Sequence, residues 1–186
     1  GPPRDIAAIE LVIAAGRGGA GNVCFEDLRL ADTSYYLTPL VQASSALPGC
    51  EPLHVLDSSA ATCWRSASTG EPQQLLIDFH RVREFGGLTI CWDTQRLPRA
   101  FDIRLSCDGS EWTTCFATAQ GVGRETHAYL PGAVSRFVRI ELNESMQRAG
   151  FGIVRVEVQP HAFSRSINDF FSAIAQRGSS GLYPKY

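Results

Sequence analysis

The stretch Ala43–Ser66, ASSALPGCEPLHVLDSSAATCWRS, says most about the fold of this chain. It begins with small polar residues and turns at a Pro-Gly pair, which is a strong turn signal. Asp57 and Thr62 then precede Trp64, so an acidic loop ends on a large aromatic side chain. We therefore expect a turn and an acidic loop that lead into a buried tryptophan.

Downstream of this stretch, apolar residues alternate with polar ones, as in half-buried β-strands. The residues that share an inward face are Leu75, Ile77 and Phe79, then Leu88, Ile90 and Trp92, then Phe101, Ile103, Leu105 and Cys107. Asp108-Gly109 predicts a tight hairpin after the third run. Further strands are expected at His127–Leu130, Arg136–Leu142 and Gly152–Val158, separated by Gly/Pro turns. Short, evenly spaced strands of this kind predict an all-β sandwich or barrel.

Three segments give this pattern a specific resemblance. Ala43-Ser44-Ser45 is followed by Asp57 and Thr62-Cys63-Trp64, then by the segments SCDGSEW at 106–112 and RFVRI at 136–140. In this order the segments resemble the discoidin domain, also called the coagulation-factor C-type domain. The resemblance covers residues 38–160 and implies a galactose-binding-like jelly-roll β-sandwich. Its core should contain Trp64, Ile77, Leu88, Ile103, Leu105, Trp112, Val138 and Ile140.

Both ends of the chain carry additional elements. Residues 1–33 predict a β-hairpin around a glycine-rich loop. We interpret this hairpin as the tail of a preceding β-sandwich. That loop lacks the Lys-Ser/Thr and the following helix of a phosphate-binding loop. Residues 161–186 predict a helix over Ser166–Gln176 and a linker, with Ser166 and Asp169 as a capping pair and Gly178 as the stop. We expect the helix stripe of Ile167, Phe170, Phe171 and Ile174 to be covered.

Composition excludes several classes of function. The 186 residues allow one sizeable core, and the net charge of −2 comes without a basic run or basic helix face. Nucleic acid is therefore not an expected partner. No apolar run is long enough to span a bilayer, and the first residues lack the order of a signal peptide.

Six cysteines are present: Cys24, Cys50, Cys63, Cys91, Cys107 and Cys115. They form no CxxC pair and have no zinc-like spacing with the four histidines, so no metal cluster is expected. Mostly free thiols are predicted, and a disulfide between two of Cys50, Cys63, Cys107 and Cys115 is the alternative.

The sequence does not predict an enzyme. His54 and His80 have no Ser or Cys partner at a recognisable spacing, and no Gly-x-Ser-x-Gly motif is present. The carboxylates lie on strands, turns and separate loops, so no pair suited to glycoside hydrolysis can be chosen.

A binding module needs less chemistry than an enzyme. Sugar recognition by a sandwich requires loops that present an aromatic face and a few hydrogen-bonding groups. The loops are expected at 65–72, 93–100, 118–125 and 143–151. The candidate ligand-binding residues in and beside them are Arg65, Trp92, Arg96, Arg99, Asn143 and Phe151. For Trp92 the alternative is core packing, because it continues the inward face of its strand.

The resemblance also implies a possible calcium ion beside Asp57. Many family members hold calcium with that Asp, a set of loop carbonyls, the Thr at 62 and a Glu of the last strand. Here Arg155 stands where that Glu is usual, and calcium prefers hard oxygens without a neighbouring cation. We predict no cofactor and an ion pair from Arg155 to Asp57; if calcium is bound, its ligands would be Asp57, Thr62 and Glu157.

The resemblance implies a non-catalytic carbohydrate-binding module within a larger bacterial polysaccharide-active protein, of the kind found beside glycosidases. Both ends fit such neighbouring domains, so the expected partners are a glycan and other domains of the same polypeptide. The alternatives are a cell-surface adhesion or membrane-surface domain, which the scarcity of apolar loop tips and lysines disfavours, and a structural spacer without ligand. The family suggests an extracellular or periplasmic location, whereas unpaired cysteines suit the cytoplasm, so localisation stays open.

Overall fold

Seven antiparallel strands and three short helical segments make up the described part of the chain, in a computed structural model that describes residues 38–57, 59, 61–67, 71–121 and 123–178. The strands are β1 (Leu40–Ala43), β2 (Trp64–Arg65), β3 (Gln73–Trp92), β4 (Pro98–Ser106), β5 (Thr113–Thr118), β6 (Glu125–Ser145) and β7 (Gly152–Gln159). Two 3-10 helices span Pro52–Leu56 and His161–Ser164, and the α-helix α1 spans Ile167–Gly178. The all-β class is confirmed. The predicted hairpin at 1–33 and the linker after 178 lie outside the described residues.

The long strands β3 and β6 each belong to both layers of the jelly roll. The first part of β3 pairs with β1 and with the second part of β6, which continues to β4 and β5. The second part of β3 pairs with β7 and with the first part of β6, and β7 pairs with β2. The two layers thus share β3 and β6, which bend over one end of the sandwich. The loops at the other end connect the ends of the strands.

The bends correct the predicted strand boundaries. The strands expected at 127–130 and 136–142 are one strand, β6, because pairing with β3 continues past Pro131 and Gly132. Likewise the runs 74–79 and 88–92 are parts of β3, joined across register shifts between Asp78 and Arg83 and between Phe85 and Gly87. Gly/Pro and polar residues signalled turns in the sequence, but in the fold they form bulges that change the strand direction.

The core lies between the two layers and contains seven of the eight side chains predicted for it. Trp64, Ile77, Leu88, Ile103, Leu105, Val138 and Ile140 are buried. The eighth, Trp112, is an error of prediction, because it is half-buried on the outer face of the sheet. There the Arg139 guanidinium carbon lies 3.5 Å from the centre of its ring, and its indole N–H donates to the Gly109 carbonyl.

The β4–β5 hairpin follows the prediction in position but not in turn type. Leu105 pairs with Thr113, so a six-residue loop joins the strands rather than a two-residue turn. Gly109 has φ +82°, a value that favours glycine, and Asp108 accepts hydrogen bonds from the backbone N–H groups of Ser110 and Glu111. The Ser110 hydroxyl also donates to Asp108, and this bond, together with the two backbone bonds, holds the pKa of Asp108 far below its ordinary value. Cys107, expected inward, is exposed because the strand has already ended.

The predicted C-terminal helix is confirmed. Ser166 and Asp169 form the capping pair: the Asp169 backbone N–H donates to the Ser166 hydroxyl, which itself donates to the Asp169 carboxylate. Only part of the apolar stripe is covered. Phe170 is 8% exposed and packs edge-on against Tyr129 and Phe163, whereas Phe171 is 62% exposed.

Candidate functional site

The loops at the open end of the sandwich are joined to one another by backbone and side-chain hydrogen bonds. We call this surface the loop rim; it comprises residues 65–67, 93–99, 119–121 and 143–152. The carbonyl of Gly152 accepts from the Asp93 N–H, and the Gly152 N–H donates to the carbonyl of Arg96. Gly121 donates to the carbonyl of Arg99, so the loop after β5 joins the same surface. All four loops proposed from the sequence therefore contribute to one rim.

At the centre of the loop rim, two arginines flank one buried carboxylate. Asp93 is 7% exposed, and its Oδ2 accepts a 2.7 Å hydrogen bond from Nε of Arg65. Its Oδ1 accepts from the backbone N–H of Gln95. The hydrogen bond to Asp93 raises the pKa of Arg65, so the guanidinium of Arg65 stays charged. Arg65 is thereby held in one orientation with part of its guanidinium at the surface.

Arg96 lies on the other side of Asp93. Its Nη1 donates to the carbonyl of Ser66 at 3.3 Å. The glycine at 152 permits this arrangement: a Cβ there would lie 2.6 Å from Cβ of Asp93 and 3.2 Å from Cβ of Arg96. Arg65 pairs with the same glycine across the β2–β7 ladder. Three charged side chains therefore originate close together on the backbone. We call them the Arg-Asp-Arg cluster (Arg65, Asp93, Arg96).

Two aromatic candidates are not surface residues. Trp92 is 4% exposed, packs edge-on against Phe101 with ring centres 4.9 Å apart, and donates its indole N–H to the hydroxyl of Thr126. Core packing, the alternative proposed for Trp92, is what the structure shows. Phe151 is also buried, and its backbone N–H donates to the Ser66 hydroxyl. Neither ring can offer its face to a sugar in this conformation.

Arg99 and Asn143 lie at the edge of the loop rim, on β4 and β6. Arg99 is exposed and forms a 3.2 Å ion pair with the equally exposed Glu144. The Asn143 amide donates to Oδ2 of Asp102 at 3.2 Å. Neither side chain contacts the Arg-Asp-Arg cluster, so the six candidates divide into a central pair, an edge pair and two core residues.

The loop expected at 143–151 is present, but two of its residues, Gln147 and Met146, were not among the candidates from the sequence. The Gln147 side chain accepts from the Leu97 N–H and donates to the Thr94 carbonyl, so it connects two loops that are 50 residues apart in sequence. Met146 is 48% exposed beside it and supplies apolar surface. A lone Gln or Met carries no signal of this kind in a sequence, because the role arises from the neighbouring loop.

The predicted ion pair between Arg155 and Asp57 is wrong. Arg155 lies on β7 with its Nε 2.9 Å from Oε1 of Glu157. Asp57 instead accepts from the Thr62 hydroxyl at 2.8 Å and from the Ser59 N–H. Arg155 fails to reach Asp57 because its side chain lies over the outer face of β7, near Cys91.

The described residues do not fit the calcium site that the resemblance implied. Asp57 and Thr62 are together, but Glu157 is engaged by Arg155 and by Nη2 of Arg177, which is 2.7 Å away. These contacts lower the pKa of Glu157, although burial alone would raise it. Within the described ranges, no three His, Cys, Asp or Glu side chains are grouped as metal ligands.

A group of titratable side chains lies away from the loop rim, on β3, β6 and β7. His127 Nδ1 is 3.1 Å from the Thr89 hydroxyl, and its Nε2 is 3.6 Å from a Glu125 carboxylate oxygen. The Cys91 thiol donates to Glu125. Burial, followed by the charge of Glu125, raises the pKa of Cys91, which is the reverse of what an activated thiol nucleophile needs. This group is therefore structural in character.

The five described cysteines, Cys50, Cys63, Cys91, Cys107 and Cys115, are free thiols. Cys50 and Cys63 are in side-chain contact, and burial raises the pKa of Cys63. A cleft of about 560 Å³ lies at the bend end of the sandwich, between the β4–β5 hairpin and the bend of β6. Its lining includes Cys107 and Cys115, and its charged members are Asp108 and Glu111. Since the Asp108 carboxylate accepts hydrogen bonds within the hairpin, the cleft has few polar groups left to bind a ligand.

With the geometry established, comparison identifies the family. Residues 41–157 match the F5/8 type C domain, so this chain belongs to the F5/8 type C, or discoidin, family. No curated protein sequence matches the chain. In the described part of the chain, no helix has the length and apolar character needed to cross a membrane.

Solved structures share the fold. Chitosan-binding module 2 of the chitosanase/glucanase from Paenibacillus sp. IK-5, in complex with chitotriose, is 25% identical with a TM-score of 0.63, over 67% of this chain and 98% of that one. Module 1 of the same enzyme is 23% identical with a TM-score of 0.62, over 66% and 96%. A GH29 fucosidase from Ruminococcus gnavus, in complex with fucose, is 16% identical with a TM-score of 0.59, over 66% of this chain and 25% of that one.

Proposed function

We propose that this chain is a non-catalytic carbohydrate-binding module that holds its glycan at the loop rim. The observation that carries the proposal is the convergence of four loops on one surface, where anchored arginines supply hydrogen-bond donors for sugar hydroxyls. The similarity to modules described as chitosan-binding, one with chitotriose, supports the ligand class.

The apolar contact that a sugar ring needs comes from aliphatic rather than aromatic side chains. Trp92 and Phe151 are buried, so we assign this role to Met146, with the half-buried Leu97 beside it. The Leu97 carbonyl accepts from the Met146 N–H, so the two residues are fixed relative to each other. A polarizable thioether on a turn can adapt to the apolar face of a pyranose.

The absence of catalysis and the accessory role are parts of the same proposal. Among the described residues the loop rim has one buried carboxylate, Asp93, whose Oδ2 is occupied by Arg65, whereas glycoside hydrolysis uses a pair of carboxyl groups. The occurrence of this fold as a quarter of a fucosidase chain supports a role beside a catalytic domain. The module would then position a larger protein on its polysaccharide.

A glycan array with the purified chain tests the proposal, together with a double variant of the loop rim, Arg99→Ala with Met146→Ala. Both side chains are largely exposed, so the variant should fold. The matched control is Arg81→Ala with Val134→Ala, which removes one charge and one exposed apolar side chain at the bend end.

We expect wild type and control to bind the same glycans, and the rim variant to lose the signal, with no hydrolysis by any of the three. Binding that survives in the rim variant would place the site elsewhere. Failure to bind any glycan would favour a structural spacer, and binding to lipid vesicles instead would favour a membrane-surface domain.

A further inference from the structure

The centre of the loop rim carries a positive charge that its own acids do not balance. Arg65 and Asp93 neutralise each other at 2.7 Å. Arg96 is half-buried, yet within the described residues no carboxylate lies close enough to form an ion pair with it, and its guanidinium makes one hydrogen bond there, to the Ser66 carbonyl. The chain as a whole carries a net charge of −2, so the positive charge of this site is opposite in sign to that of the chain.

A half-buried guanidinium without a counter-ion favours an anionic ligand. Part of the water that would solvate the charge is displaced by the protein, and hydrogen bonds between two ionised groups are about twice as strong as those between neutral groups. Since Nη1 of Arg96 is used by Ser66, Nε and Nη2 remain for a ligand. These two N–H groups can bind two oxygens of one anionic group.

The protein holds Arg96 in place for this role. Its backbone N–H donates to the Asp93 carbonyl and its carbonyl accepts from the Gly152 N–H, so the residue is fixed at both ends. The Asp93 carboxylate lies beside Arg96 but forms no ion pair with it, because Arg65 already occupies its Oδ2. Among the described residues, the neutral Arg65–Asp93 pair thus lies next to a guanidinium that has no ion pair.

We propose that the Arg-Asp-Arg cluster recognises an acidic sugar, with Arg96 bound to a carboxylate or sulfate group of the glycan and Arg65 bound to a neighbouring hydroxyl. This rests on the proposed function, since it requires that the loop rim bind glycans. It also separates this chain from binding to a polycation such as chitosan, whose amino groups would be repelled by Arg96.

The test uses affinity electrophoresis of the purified chain in gels that contain polygalacturonate, alginate or glucuronan. Each polymer is paired with its carboxyl-reduced, neutral form, so that only the charge differs. A sulfated galactan gel separates sulfate from carboxylate recognition, and chitosan and neutral glucan gels complete the series. The variants are Arg96→Gln, Arg96→Lys and the control Arg81→Gln, which removes an exposed arginine at the bend end.

We expect at least one acidic polymer to retard the wild type and its neutral form not to. Arg96→Gln should weaken that binding by about tenfold or more, because a hydrogen bond to a charged group is lost. Arg81→Gln should have no effect, and Arg96→Lys should recover part of the binding. Added salt should weaken binding to the acidic polymer.

Other outcomes overturn the inference in distinguishable ways. Equal retardation by an acidic polymer and its reduced form, or by chitosan, would reject the acidic sugar and leave the proposed function intact. Retardation that Arg96→Gln does not change would place acid recognition away from the cluster. If no gel of the series retards the wild type, both the inference and the proposed function fail. Circular dichroism of Arg96→Gln excludes unfolding as the cause of a loss.

Discussion

Trp64 and Trp112 show how much a single side chain depends on the layer that its strand faces. Trp64 is fully buried, and its indole N–H donates to the Ser45 carbonyl at 2.9 Å. Trp112 is half-buried outside the sheet, between the Arg139 guanidinium and the ring of Phe137. Both tryptophans close family segments, but only Trp64 is part of the sandwich core.

Alanine at each of the two positions should separate these roles. Trp64→Ala should lower the free energy of unfolding by about 3–5 kcal/mol, because it leaves a large cavity and an unpaired Ser45 carbonyl. Trp112→Ala should cost about 1–2 kcal/mol, since it removes half-buried area and one cation–π contact. Urea denaturation measures both values. Equal losses would contradict the outer position of Trp112.

At the scale of elements, helix α1 is held to the sandwich by one of its two adjacent phenylalanines. Phe170 packs against Tyr129 of β6 and against Phe163, which follows β7. Arg177 adds a 2.7 Å ion pair to Glu157 of β7 at the far end of the helix. The helix is therefore docked at both ends while Ile167 and Phe171 stay exposed.

Alanine at Phe170 and Phe171 offers a matched pair for thermal melts. Phe170→Ala should lower stability by about 3 kcal/mol, because it removes a buried ring from the contact with Tyr129 and Phe163. Phe171→Ala should change stability by less than about 0.5 kcal/mol, as expected for an exposed position. A larger loss at Phe171 than at Phe170 would mean that the helix docks by its other face.

The bends of the long strands are joined by an ion pair that gives the fold a pH dependence. Asp78 of β3 accepts hydrogen bonds of 2.8 Å from both Nε and Nη2 of Arg136 on β6. This bidentate contact lowers the pKa of Asp78 below its ordinary value. The ionised carboxylate therefore stabilises the fold above the unfolded pKa of about 4, and the contribution is lost as pH falls through the folded value.

Asp78→Asn should remove this part of the acid sensitivity. We expect the urea midpoint of wild type to fall between pH 5 and pH 3 more steeply than that of Asp78→Asn, with the difference greatest at pH 5 and above, where the pair is intact. Glu144→Gln, which breaks the exposed pair with Arg99, is the control and should leave the slope unchanged. Parallel pH profiles for wild type and Asp78→Asn would show that the pair does not stabilise the fold.

For the described sandwich as a whole, the two bent strands define which of its ends carries the loops. Both ends of β3 and both ends of β6 reach the loop rim, so the rim gathers loops from distant parts of the chain. The bend end has the cleft between the β4–β5 hairpin and β6, with few free polar groups. Division of the molecule into a polar loop end and a closed bend end follows from this topology.

The dispersal of the acidic ligands predicts that the fold does not depend on calcium. Among the described residues, Asp57 accepts hydrogen bonds from the Thr62 hydroxyl and the Ser59 N–H, while Glu157 is neutralised by two arginines on β7 and α1. Adding EDTA should leave the melting temperature unchanged, and adding millimolar calcium should not raise it, because a ligand stabilises only the state that binds it. A fall in melting temperature with EDTA that calcium reverses would restore a metal site at the Asp57 loop.

The sequence alone determined the family, the alternating strand faces and the capped helix. The strand faces and the helix cap depend on residues close together in the chain, such as Leu75, Ile77 and Phe79 on one strand, or Ser166 and Asp169 on one turn. The family was indicated by short segments in a set order, each of which can be read locally. It also placed the candidate ligand loops, because strand ends are marked by local composition.

Features that depend on contacts between distant segments can be seen only in the folded chain. The continuity of β6 through Pro131-Gly132 requires pairing with β3, and the partner of Asp93 comes from β2, 28 residues earlier. The burial of Phe151 and the ion pair between Arg177 of α1 and Glu157 of β7 have the same origin. A side chain's exposure and charge balance are set by the neighbours that folding brings to it, and no local pattern encodes those neighbours.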